Sequence, residues 1–135
     1  MPMVQIIHVR GALTAVQKQA LLQGVQDAVV AVEGEALRVG VGVMLEEALE
    51  SPASALGCLP FVRVTVIRDA LTSAQRADML SRVIEAVVAV EGEARRANIW
   101  AVIESSVLEG EWSIGGNPLT LKALAALRRG KNPWD

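Results

Sequence analysis

The residues of this sequence that could move a proton or hold an anion are few. One histidine (His8) and one cysteine (Cys58) cannot build a zinc site of the usual kind, and neither a metal nor an organic cofactor is expected. Pro2 carries more unusual chemistry. A small second residue lets the initiator methionine be removed, and proline would then hold a free secondary amine, a base that no other position supplies. A chain-terminal amine starts near pKa about 7.7–8.0, closer to neutral than lysine. Burial among Val and Ile and a nearby arginine would both disfavour the ammonium form and lower that value. If Met1 stays, Pro2 is an amide nitrogen and the role fails. A Met-Pro start by itself carries no function.

The elements that would position Pro2 are written twice. Residues 2–47 overlay 60–105 without a gap at an offset of 58, with twenty identities in forty-six positions, a fixed-period repeat. PMVQIIHVRGALTAVQK (2–18) meets PFVRVTVIRDALTSAQR (60–76), and AVVAVEGEA recurs at 28–36 and 86–94. Pro2 pairs with Pro60, whose nitrogen is acylated and cannot serve as a base. Residues 3–9 and 61–67 read as strands. Thr14 and Thr72 read as helix N-caps, and Leu21, Val25, Val29 and Met79, Val83, Val87 recur at helical spacing. Gly34 and Gly92 stop the helices, and second strands are expected at 39–45 and 98–103. Each copy is then a βαβ unit with parallel strands and a right-handed crossover. Residues 2–47 form the first unit and 48–59 a linker. The second unit is 60–135, with a Gly-rich hairpin around EWSIGG and a short helix at LKALAALRR. The expected fold is α+β: one domain with a four-stranded mixed sheet and two helices on one face.

Composition narrows the function classes. The net charge is −2, and no basic run extends beyond Arg128, Arg129 and Lys131, so nucleic-acid binding has no electrostatic footprint. Apolar runs such as AVVAV and VGVGVML fall far short of the roughly 20 residues of a membrane span. No signal peptide is read at the start, and a single cysteine fits a reducing, cytoplasmic setting. A 52% hydrophobic content in 135 residues, with strands apolar on both sides, points to a homo-oligomer that covers the second face of the sheet.

A Met-Pro start, a duplicated βαβ unit and a GG-containing hairpin together resemble the tautomerase superfamily over nearly the whole chain. PMVQIIHV, LTAVQK and EWSIGG resemble the 4-oxalocrotonate tautomerase family. NIWAV (98–102) and EGEW (109–112) are similar to the duplicated cis-3-chloroacrylic acid dehalogenases. The resemblance implies a trimer of fused chains and a processed proline as general acid/base. It implies an isomerase acting on enol or dienol forms of small 2-oxo acids. The alternatives are a dehalogenase or hydratase of unsaturated acids, and a non-catalytic trimeric scaffold.

Strand parity places Pro2 and Arg10 on one face but roughly 26 Å apart. In the antiparallel pairing that the resemblance implies for the two first strands, Arg68 stands beside Pro2 and would bind the substrate carboxylate, and Trp112 would wall the pocket. The family's other arginines fall on Ala12, Leu13 or Ala70, Leu71 and on Val41 or Ile99. Arg38 and Arg96 are therefore the candidates for a second cation from a neighbouring subunit. A dehalogenase's second arginine and its histidine fall on Leu71 and Val29, and its water-activating carboxylate on Glu109 or Glu111. Glu33, Glu35, Glu91 and Glu93 read as solvated loop charges, and His8 as a residue of a sheet contact.

Overall fold

The computed structural model describes residues 2–48 and 59–134. Strand β1 (Met3–Val9) leads into helix α1 (Ala15–Glu33), a 3₁₀ turn (Glu35–Gly40) and β2 (Gly42–Ala48). The second half repeats the order with β3 (Phe61–Ile67), α2 (Ser73–Glu91), a 3₁₀ turn (Glu93–Asn98) and β4 (Trp100–Val107). A two-strand hairpin, β5 (Ser113–Ile114) and β6 (Asn117–Pro118), and helix α3 (Leu121–Arg128) complete it. The expected linker, 48–59, lies outside the described residues except for Ala48 and Leu59, as do Met1 and Cys58.

The helices begin where their sequences say. Thr14 and Thr72 each accept the backbone N–H three residues on, at 3.2 and 3.1 Å, while Gln17 and Gln75 reach back to the cap N–H. These are full capping boxes. Both helices stop at glycines with φ of 107° and 95°, a region that a side chain would strain. After them each chain tightens into a 3₁₀ turn, so the second strands start later than expected, at 42 and 100 rather than 39 and 98. The turn is anchored in the first copy by buried Leu37, which leaves Val39 fully exposed.

The sheet order is β2-β1-β3-β4. β1 pairs parallel with β2, and β3 with β4, while β1 and β3 run antiparallel with Met3 opposite Thr65 and Ile7 opposite Phe61. The two halves are thus related by an approximate twofold between β1 and β3. Val4, Ile6, Val62 and Val64 pack under Leu21, Val25, Val29, Met79, Val83 and Val87 in one core. A second, smaller cluster joins Leu37, Ile67, Leu119 and Leu124 below α3. The other face of the sheet is uncovered and mixed. Met44, Trp100 and Val102 are exposed there, beside Gln5 bonded to Glu46 and Arg63 lying over the Phe61 ring.

Candidate active site

Pro2 is buried, on the helix-facing side of β1 with Val4, Ile6 and His8. Continuing the observed register places Val66 across from it on β3 and Val41 on the other side. Both neighbours are nearly inaccessible, so Pro2 is flanked on the sheet by apolar, buried side chains. The same end of the sheet receives the C-terminus of α1, the turn after β3 and the small cluster under α3.

Arg68 stands two residues beyond Val66, exposed, with its N–H bonded to Val107 O at 2.8 Å. It makes no side-chain hydrogen bond or ion pair among the described residues. A cleft of about 460 Å³ holds it together with Asp69, Arg76, Glu104, Ser105 and Ser106. Asp69 has φ 67°, the left-handed geometry that its repeat partner Gly11 adopts at 78°. Arg76 donates to Leu71 O at 2.7 Å and to Ser73 Oγ at 3.0 Å. Pro2 does not line this cleft. Pro2 and Arg68 thus share a sheet end, and within one chain the cleft around Arg68 opens on the β4 side. Another cleft, of about 790 Å³, follows the β4 edge around Phe61, Trp100 and Arg96 at the opposite end of β3.

The remaining candidates are engaged by their own chain. Arg38 is bonded to Glu35 at 2.6 Å and Asp27 at 2.6 Å, and these contacts, Glu35 first, hold the guanidinium above its usual range. Arg96 repeats the arrangement with Glu93 at 2.7 Å and Glu85 at 2.6 Å, with the same effect. Trp112 is half-buried against the cluster of Ile67 and Leu119, its carbonyl accepting Leu119 N–H at 2.7 Å. Glu109 and Glu111 accept the backbone N–H groups of Leu121 and Leu108 at 2.8 and 3.0 Å, which ties both to backbone structure. Leu71 and Val29 are core residues. Among the described residues no group of three His, Cys, Asp or Glu side chains could hold a metal ion, and no helix is long and apolar enough to cross a membrane.

No family model matches the chain, and no curated protein does. Solved structures do match. The asymmetric trimer of a wild-type fused 4-oxalocrotonate tautomerase is 23% identical, with TM-score 0.74, covering 90% of this chain and 98% of that one. Pt0534, solved after inactivation by 2-oxo-3-pentynoate, is 20% identical with TM-score 0.66, covering 90% and 97%. A macrophage migration inhibitory factor-like protein from Entamoeba histolytica is 11% identical with TM-score 0.65, covering 87% and 97%. The chain has the tautomerase-superfamily fold.

Within this tautomerase fold two carboxylates correct the sequence reading. Glu33 and Glu91 end α1 and α2, and neither is a solvated loop charge. Glu33 is 3% exposed and accepts from Arg128 Nη2 at 2.6 Å. Glu91 is bonded to His8 Nε2, while His8 Nδ1 accepts Val9 N–H at 2.7 Å. His8 therefore lies beneath the end of α2 rather than on the open sheet face. The signal was present in the spacing. Leu21, Val25, Val29, Glu33 and Met79, Val83, Val87, Glu91 are unbroken rows four residues apart, so each glutamate continues the buried stripe.

Proposed function

We propose that this chain is a tautomerase that interconverts enol or dienol and keto forms of small 2-oxo acids, with the processed N-terminal Pro2 as general acid/base. One observation carries the reading. Of the two prolines that begin the duplicated first strands, only Pro2 can be a free amine, and it lies buried among Val66 and Val41. Burial there disfavours the ammonium form and brings the base toward working pH. The amine would take the proton of the enol hydroxyl as the carbonyl forms, and the resulting ammonium would return a proton to the α or γ carbon.

Arg68 is the proposed carboxylate anchor, because its guanidinium has no acidic partner among the described residues and it stands at the Pro2 end of the sheet. Trp112 is the proposed wall, half-buried at that same end. Arg38 and Arg96 are weaker candidates for a second cation from a neighbouring copy, since each already serves two carboxylates. We place the chain in a cytoplasmic homotrimer, in which other copies cover the exposed Met44, Trp100 and Val102. The similarity to a fused 4-oxalocrotonate tautomerase trimer supports that assembly. Residues 2–47 and 60–135 would be the two fused units, joined by 48–59.

The test is ultraviolet-monitored ketonisation of 2-hydroxymuconate and phenylenolpyruvate by protein whose intact mass shows Met1 removed. Pro2→Ala is expected to lose about 100-fold or more, the scale of a general acid/base. A loss of only a few-fold would refute the mechanism. Incubation with 2-oxo-3-pentynoate, the inactivator of Pt0534, is expected to give an adduct that maps to Pro2.

A further inference from the structure

The charged groups at the Pro2 end of the sheet come from several elements, Arg76 near the start of α2 and Glu104 on β4 among them, both lining the cleft around Arg68. Glu33 ends α1, Glu35 and Arg38 lie in the 3₁₀ turn, and Arg68 and Asp69 follow β3. Glu109 and Glu111 precede the hairpin, and Arg128 and Arg129 end α3. Of these only Glu33 is buried. Glu35 is held by Arg38, and Glu109 and Glu111 by backbone N–H groups. Arg68, Asp69 and Arg129 are exposed. The negative end of the α1 dipole adds to the Glu33 charge.

Arg128 answers that charge. Its Nη2 bonds Glu33, and Nη1 and Nη2 both reach Ala70 O at 3.3 Å, in the turn that follows β3. Its Nε is buried with no hydrogen-bond partner. An orphaned buried donor is destabilising, and an apolar pair often stabilises such a site as well as an ion pair does. Packing alone therefore does not account for these two charges. The twin site is a natural comparison. Glu91 meets His8, and continuing the register sets His8 opposite Pro60, whose acylated nitrogen never has to be kept neutral.

We infer that Arg128 is a positioning residue for charge: by neutralising Glu33 at the Pro2 end of the sheet, it keeps the Pro2 amine in its unprotonated, proton-accepting form. A bare carboxylate in this low-dielectric corner would favour the ammonium form and idle the base at neutral pH. The inference rests on Pro2 being a free amine that acts as base.

The experiment is an NMR titration of the Pro2 nitrogen in ¹⁵N-proline-labelled full-length chain lacking Met1, with ketonisation rates measured alongside. Arg128→Gln is expected to raise the titration midpoint by about one pH unit, a tenfold change in the protonation equilibrium. Glu33→Gln is expected to lower it. Arg128→Lys, which keeps the charge, and the Glu33→Gln/Arg128→Gln double variant are expected near the parent value. The double variant and Glu33→Gln leave no carboxylate unpaired, so they carry the test if Arg128→Gln does not fold. A midpoint unmoved by Glu33→Gln, and equally by Arg128→Gln where it folds, would overturn the inference. Midpoints that move as stated without turnover in any protein would support the charge role and refute the tautomerase reading.

Discussion

Replacing Arg128 with methionine leaves Glu33 facing the protein interior without a cation. The Glu33 side chain is 2% exposed and that of Arg128 29%, so the pair is buried on one side and half-wet on the other. Removing one partner of a fully buried pair costs about 3–5 kcal/mol. Water admitted where Arg128 stood would solvate part of the stranded carboxylate, which brings the expected cost to about 2–3 kcal/mol. The Glu33→Met/Arg128→Met double variant also deletes the orphaned Nε and should lie within about 1 kcal/mol of the parent. Urea unfolding measures the parent, Arg128→Met, Glu33→Met and the double variant at one fixed protein concentration, so that any subunit association affects all four alike. A cost below about 0.5 kcal/mol for Arg128→Met, or a double variant equal to the sum of the singles, would show the two residues are not a coupled buried pair.

Other outcomes follow from individual contacts. Thr72→Ala removes an N-cap whose reciprocal partner is Gln75, and thermal unfolding should report a loss of about 1 kcal/mol. Asp69→Gly relieves a left-handed backbone that the first copy assigns to Gly11; it should stabilise by up to about 1 kcal/mol in the same assay, and a destabilised variant would contradict the strain argument. Arg38 holds the carboxyls of Glu35 and Asp27 below their usual range, chiefly through side-chain hydrogen bonds. Their folded values lie below the unfolded ones, so this contribution is present above the unfolded carboxylate pKa and is lost as pH falls through the folded values. Arg38→Gln should therefore flatten that part of the acid-unfolding curve and leave the curve above pH about 5 with the same shape.

Much of the fold was legible in the sequence because it depends on local rules. A threonine three residues before a glutamine starts a helix, and a glycine that must take positive φ stops it, wherever the segment sits. The limits of β2 and β4 were read three and two residues early at their starts. Nothing local distinguishes Val39 and Gly40, or Asn98, in a strand from the same residues in a 3₁₀ turn that tertiary packing tightens. Glu33 and Glu91 were misread for another reason. Position beside a glycine suggested a loop, while the four-residue spacing that marks them as buried requires accepting a charge in the core stripe. Only a partner distant in sequence makes that tolerable, and Arg128 lies ninety-five residues from Glu33.

By itself, then, the sequence determined the repeat, the caps and the βαβ connectivity, since covalent structure and short-range backbone preferences settle these. Tertiary structure alone decided which charges are spoken for. Arg38 and Arg96 turned to carboxylates of their own half, Arg68 has no acidic partner among the described residues, and His8 and Arg128 were drawn to glutamates in the other half of the chain. Ion pairing in a low-dielectric interior is set by three-dimensional proximity and desolvation, and neither quantity is written in local sequence.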